Sequence, residues 1–223
     1  MEFFSGFSFL KDYGYFFVNG LWITLYLAAI SIVFGTILGV ILASMRSSKI
    51  KIVNLIAKGF IGFIRGTPLL AQIYIVYVGF PAIFHLNIPD FATGALALTF
   101  YSSAYISEII RSGVESIPYG QTDAARSLGM SQWKTMRDII LPQAVKNILP
   151  AMVNQFIGNI KDSSLVSVLG IADMMYEAQV IRGATALGLQ PILFVSLMYL
   201  ALTVLLSRLL LLLERRMKLS DQR

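Results

Sequence analysis

The chain has 223 residues, of which 57% are hydrophobic and 13% charged, with a net charge of +6 and no cysteine. A soluble domain carries roughly 25% charged residues, so the composition excludes an ordinary soluble protein and indicates a membrane protein. The missing cysteines exclude disulfides and thiolate metal sites, and Lys and Arg lie between apolar runs rather than on a soluble face, which disfavours nucleic-acid binding.

Phe and Tyr crowd residues 3–17, with Lys11 and Asp12 among them. This segment is too short and interrupted to span, so residues 1–19 are expected to form an interfacial helix. No basic stretch leads an apolar core here, and the first span is expected to act as its own insertion signal. That span is expected over residues 20–44. Gly35, Gly39 and Ala43 recur on it every four residues and make a flat face for close helix packing. Arg46, Lys49, Lys51 and Lys58 follow.

A second span is expected over 59–80, interrupted early by Arg65-Gly66-Thr67-Pro68, where freed backbone groups need protein or a water-filled cavity around them. The turn at 81–91 holds the single histidine, His85, which lacks the companions a metal site needs. A third span at 92–110 precedes a polar segment, 111–147, and a fourth at 148–169 is barely apolar enough to recognise. Residues 170–189 form an amphipathic outer segment. The last span, 191–213, stops at Glu214-Arg215-Arg216-Met217-Lys218.

Basic residues collect at 46–58, 111–146 and 215–218, whereas the alternate connections hold little more than Lys11, Arg182 and the nearby Lys161. The positive side faces the cytoplasm. The expected fold is therefore an all-α membrane protein, one permease-type domain over 1–223, with about five transmembrane helices, the N-terminus outside and the C-terminus cytoplasmic.

The polar segment has its own grammar. Ser116 and Pro118 suit a helix start. Gly129 after Leu128 suits a left-handed C-terminal cap, and Ser131 can cap a second helix carrying Trp133, Met136 and Ile140, which Leu141-Pro142 is expected to end. Such an elbow fits a docking surface for a moving partner; an amphipathic hairpin resting on lipid is the alternative.

The third span puts Tyr101, Tyr105 and Glu108 on one face, with Thr99, Ser102 and Ser103 adjacent. In the fourth, Asn154, Gly158 and Asp162 form one row and Gln155 and Asn159 another. Intramembrane polar groups are costly unless they pair or face a pathway. Asn154, Gln155 and Asp162 are the preferred lining residues, and Ser102, Tyr105 and Glu108 are further candidates. Glu108 can instead clasp Arg111 one turn away, and Arg65 is expected to snorkel to headgroups. The outer residues Asp173, Met174, Met175, Glu177 and Arg182 suit either a docking protein or an interfacial helix.

Asp123-Ala124-Ala125, Gly129, Ile139 and Leu141-Pro142 reproduce the full spacing of the cytoplasmic loop signature of bacterial ABC importer permeases, which this chain resembles. The one departure is Asp123 where that signature has Glu. Arg65-Gly66-Thr67-Pro68-Leu69-Leu70 with Gln72, Tyr119-Gly120-Gln121, Pro142-Gln143-Ala144 and Lys161-Asp162-Ser163-Ser164-Leu165 are similar to the polar amino acid uptake branch, whose members carry histidine, glutamine, arginine or cystine. The likeness runs from the first span to Arg216.

This resemblance implies a type I ABC importer-like permease with cytoplasmic coupling helices, multi-pass in a bacterial cytoplasmic membrane. It implies that Asp123, Ala124, Ala125, Ser127, Leu128, Gly129 and Trp133 couple to an ATP-binding cassette subunit dimer, and it adds Gln72 to the pathway candidates. A second permease copy or paralogue and an extracytoplasmic solute-binding protein are the other implied partners, with a polar amino acid as cargo. ATP and Mg would be bound by the partner ATPase, since this chain has no Gly-x-x-x-x-Gly-Lys-Ser/Thr loop. The competing reading is a stand-alone ion-coupled secondary amino acid transporter or channel, for which Glu108, Lys161 and Asp162 would serve. An intramembrane enzyme finds no Gly-x-Ser-x-Gly elbow or His-Glu-x-x-His helix.

Overall fold

The computed structural model describes the backbone of residues 6–220 and the side chains of residues 7–212; the expected anchors at 3–4 and the charged stop at 214–218 lie outside the described side chains. A short 3-10 turn, Gly6–Phe9, leads into α1, Leu10–Arg46. The N-terminal segment is thus no separate interfacial element. Lys11 and Asp12 are exposed in the first turn of the same helix that forms the first span. A helix tolerates two solvated charges at its end, so nothing breaks it there.

Close packing of α1 on α5, Asp90–Glu115, sets the frame. A Cβ on Gly35 would lie 2.8 Å from Ser102 Cβ, and one on Gly39 would lie 2.8 Å from Ile106 Cγ2. The small-residue face therefore brings two backbones together at Gly35 and Gly39. Ala43 departs from the expectation: it lines an apolar groove with Val40, Val145 and Ile148. Farther along α1, Gly20 admits the backbone of Met174, whose Cα would be 2.9 Å from a Cβ there.

The second span is displaced from its expected place. Helix α2, Lys51–Gly66, starts inside the expected connection, and the chain turns by 116° before Leu69–Phe84. Thr67 precedes Pro68 and is extended (φ −122°, ψ 152°), as the proline ring demands of its neighbour. The second limb comprises α3, Leu69–Tyr74, a π turn at Ile75–Gly79, and α4, Phe80–Phe84. One face of α2 buries Ala57, Ile61 and Ile64 against Leu42 and Ala104, while Ile52, Leu55, Ile56 and Phe63 are exposed.

Helices α6, Tyr119–Ser127, and α7, Gln132–Thr135, form the elbow. Leu141-Pro142 does not end the second of them. A π turn, Met136–Ile140, joins α7 to α8, Leu141–Asp162, without leaving helical geometry. Pro142 has no N–H and its ring would strike the carbonyl four residues back; the wider turn, with Leu141 N–H on Met136 O, absorbs both. A 3-10 segment, Ser163–Leu169, ends this limb at Gly170.

Helix α9, Met174–Thr185, turns most of the expected docking residues inward, and Arg182 stays exposed on its other face. Asp173 and Met174 are wholly buried and Glu177 nearly so. Met174, Ala178 and Ile181 pack with Phe9, Phe17 and Val195 of α10, Gln190–Ser220, and the Phe17 and Phe194 rings meet edge to face at 4.9 Å. Asp173 caps α9 through Oδ1, which accepts from Tyr176 N (2.9 Å), while Oδ2 accepts from Tyr199 (3.2 Å). Helical periodicity reveals an apolar face, but not whether protein or lipid covers it.

Among the described residues, Phe7–Arg46 and Gln190–Leu212 are long and apolar enough to cross a membrane, and counting each bent pair as one span gives up to four. The polar α5 is a fifth long helix, of 26 residues, packed in the centre.

Candidate coupling elbow and polar cavity

The elbow forms at one end of the bundle. Gly129 has φ +80°, the left-handed conformation in which a side chain is strained. Around it Met130 N–H donates to Ala125 O (3.1 Å), Gly129 N–H to Arg126 O (3.0 Å) and Arg126 Nη1 to Met130 O (2.7 Å). The turn is closed on itself and projects Leu128 outward, 85% exposed. Ser131 caps α7 by accepting from Lys134 N–H at 3.3 Å, as its sequence position suggested. Trp133 stands 72% exposed beside it.

Asp123, Ala124 and Ser127 are exposed on the same elbow, but Ala125 is buried, as are Thr135 and Ile140 on the second limb. The first helix starts at Tyr119 after Pro118, without a cap from Ser116. Ser116 instead donates to Gly113 O (2.7 Å) and accepts from Asn147 Nδ2 (2.8 Å), tying the base of α5 to α8. Two large exposed apolar side chains, on a turn fixed by backbone hydrogen bonds, make a preformed contact surface.

Above the elbow's base, a cavity of about 470 Å³ is recessed between the faces of α5 and α8. Tyr105, Glu108, Arg111, Ser112, Asn147 and Gln155 are among its lining residues. It gathers three of the expected pathway residues, Tyr105, Glu108 and Gln155. Gln155 donates to Asn159 Oδ1 at 2.9 Å. Asn159 in turn donates to Ser31 (3.0 Å) and Ser102 (2.8 Å), joining α8, α1 and α5 inside the protein.

The other expected lining residues sit elsewhere. Ser102 is fully buried in that network. Gln72, 3% exposed, bridges the α2–α3 break by donating to Ile64 O (2.7 Å), Thr67 O (3.0 Å) and Thr67 Oγ1 (3.0 Å). Asn154 is exposed and Asp162 half-buried, both outside this cavity.

Glu108 is the electrostatic centre. Its Oε2 accepts from Arg111 Nη2 (2.8 Å) and Nε (3.0 Å), the helical clasp read from the spacing. Its Oε1 is taken by Arg46, and Arg65 Nη1 lies 3.4 Å away. Arg65 also reaches over Tyr105, 5.7 Å from the ring centroid, while its side chain stays half exposed. Sequence reading missed the convergence of Arg46 and Arg65 on Glu108, since these residues are far apart in the chain and lie on separate elements.

The sequence profile described as binding-protein-dependent transport system inner membrane component matches residues 35–219. The arginine transport system permease protein ArtQ of Bacillus subtilis is 39% identical over 206 residues, 92% of this chain and 94% of that protein. A Rickettsia conorii protein provisionally named glutamine transport system permease protein GlnP is 37% identical over 203 residues, 91% of this chain and 93% of its own. A crystal structure of an amino acid ABC transporter with histidines superposes with TM-score 0.89 and 43% identity, covering 93% of this chain and 96% of that one.

Proposed function

The chain belongs to the family of binding-protein-dependent transport system inner membrane components, a permease subunit of an ABC transporter, and from that premise we propose that it carries a polar amino acid into a bacterial cell. The cytoplasmic end is the one bearing the elbow. Five spans then run from an outer N-terminus to an inner C-terminus, formed by α1, α3–α4, α5, α8 with its 3-10 extension, and α10. The limb 69–84 has 16 residues, about 24 Å of helix, and crosses with the turn that follows it.

The observation that carries this reading is the exposed elbow, with Leu128 and Trp133 uncovered on a turn locked by Gly129. A surface of this kind suits insertion into a groove on an ATP-binding subunit, which supplies ATP and Mg chemistry from outside the chain. Asp123, Ala124, Ser127, Leu128, Gly129 and Trp133 make that contact, and Ala125 braces it from within. Nucleotide-driven closure of the ATPase dimer pulls the elbow. The continuous helix from Gln132 through Asp162 carries the displacement toward Gln155 and Asn159, a rigid-body route to alternating access.

The α5–α8 cavity supplies donors and acceptors for a zwitterion, from Gln155 and Tyr105 down to Glu108. A second permease copy or paralogue completes the path, with Asn154 and Asp162 facing that seam. A solute-binding protein delivers cargo from outside; α9 braces the outer end rather than meeting that protein through Asp173 or Met174. The stand-alone transporter reading leaves the elbow without a use.

Co-purification and reconstitution test this. An ATPase subunit should accompany the tagged permease, and proteoliposomes of the complex should accumulate amino acid only with ATP in the lumen, on the ATPase side, and solute-binding protein outside. Amino acid accumulation by the permease without that subunit would overturn the proposal.

A further inference from the structure

A second, smaller crevice lies on the other side of Glu108. It has a volume of about 170 Å³ and is lined by Arg46, Lys58, Ile61, Gly62, Arg65 and Glu108. We propose that it seats the phosphate of an anionic phospholipid, with the acyl chains lying along the exposed apolar edge of α2.

Charge is the first ground. Three cations face one carboxylate, and both oxygens of that carboxylate already have arginine partners. Nearby Arg111 brings its own second carboxylate, Glu115, so it leaves the excess unchanged. Lys58 is exposed and has no ion-pair partner among the described residues. Arg65 is 47% exposed and offers more guanidinium donors than its one carboxylate contact uses. Two positive charges in a shallow crevice need an anion.

Shape and setting say which anion. The crevice has room for about five water molecules, enough for one phosphate ester. Gly62 carries no side chain to close it, and a Cβ there would meet open space within 4 Å. Leu55 is exposed two turns from Gly62 on the same side of the helix, and the exposed Ile52, Ile56 and Phe63 continue an apolar edge round from it, so a ligand with a phosphate in the crevice has an apolar edge within reach of its chains. A free phosphate would leave that edge unused; a phospholipid covers both. Basic pockets beside the cytoplasmic ends of membrane helices suit anionic headgroups. The side of the membrane rests on the orientation given above, whereas the crevice and its charge do not.

Glu108 walls this crevice from the cavity at Gln155. A lipid phosphate bound here competes with Glu108 for Arg46 and Arg65, so it acts on the ion pairs that join α1, α2 and α5 without entering the proposed solute path.

Native mass spectrometry of the purified complex tests the site, with dihexanoyl phosphatidylglycerol and dihexanoyl phosphatidylcholine offered in equal amounts. Phosphatidylglycerol should be retained at least fivefold better, and Lys58→Gln should lower its retention about fivefold, the contribution of one cation near an anionic surface. Lys58→Arg should restore it and Lys58→Glu abolish it. Equal retention of both lipids, or a Lys58→Glu complex that keeps phosphatidylglycerol, overturns the proposal. Inorganic phosphate at the same concentration should not displace the lipid; displacement means a free-phosphate site and also overturns it. Whether the ATPase subunit co-purifies is read on the same sample, so failure of the permease reading is told apart from failure of the lipid site.

Discussion

Asn159 on α8 donates a 2.8 Å hydrogen bond to Ser102 on α5 from a side chain with no solvent exposure. The same amide nitrogen reaches Ser31 on α1, and the amide oxygen accepts from Gln155. Asn159→Ala removes all three bonds and leaves Gln155 Nε2 without an acceptor. A net loss of about 1–2 kcal/mol follows. Thermal unfolding of the detergent-solubilised complex should show a lower Tm; a Tm equal to wild type would show that water or neighbouring groups replace the network.

Helix approach gives a sharper steric test. A Cβ at Gly39 lies 2.8 Å from Ile106 Cγ2 and 3.1 Å from Ser103 O, whereas one at Gly14 meets nothing within 4 Å. Gly39→Val should depress folded yield and Tm markedly, because the carbonyl of Ser103 cannot move aside. Gly14→Ala should leave Tm unchanged or slightly raised, since alanine favours the helix by about 1 kcal/mol. Equal effects at both sites would contradict the packing of α1 on α5.

These two cases mark what sequence could and could not tell. Gly35 and Gly39 were legible because four-residue spacing of glycine has one strong physical use in a membrane helix. Gly129 was legible for a similar reason, as a residue placed where the backbone needs positive φ. Ser102 was legible only as a polar group at membrane depth, and Gln72 only through the family resemblance, signals that suit pathway lining and internal bonding alike. Choosing between those uses requires the partner atoms, which lie on other helices. The inward face of α9 was hidden for the same reason, and Pro142 misled because a π turn can absorb a proline that normally ends a helix.

The elbow prediction turns on backbone conformation. Gly129 at φ +80° admits Asn at small cost, while a β-branched residue there costs about 1–2 kcal/mol. Gly129→Asn should retain most substrate-stimulated ATP hydrolysis in proteoliposomes. Gly129→Val and a bulky acidic replacement, Gly129→Glu, should leave the protein in the membrane but lower coupled hydrolysis several-fold. Normal coupling in the Glu variant would remove Gly129 from the docking surface.

For the cavity, Gln155 and Gln72 make a contrasting pair. Gln155 lines the α5–α8 space, and Gln72 is buried in the α2–α3 break. Gln155→Ala should raise the KM for uptake or change the preference among amino acids. Gln72→Ala should act chiefly on stability, lowering it by about 1–3 kcal/mol and Tm with it, because three backbone and hydroxyl acceptors lose their donor. Uptake with unaltered KM and selectivity in the Gln155 variant would place the path elsewhere.

Glu108 offers the last test, in which charge and not shape decides the sign. Glu108→Gln keeps the volume but leaves Arg46, Arg65 and Arg111 facing one another with only Glu115 as counter-charge. The side chain is 16% exposed, so screening is incomplete and the variant should lose about 2 kcal/mol. Added salt should recover part of the loss, since counterions screen guanidinium repulsion near the surface. Adding Arg65→Gln should recover more, because one uncompensated cation is gone while Arg111 keeps Glu115. Thermal unfolding at low and high salt for the single and double variants reads all three expectations. A double variant less stable than Glu108→Gln alone would mean that Arg65 is held by the Tyr105 ring rather than by the carboxylate.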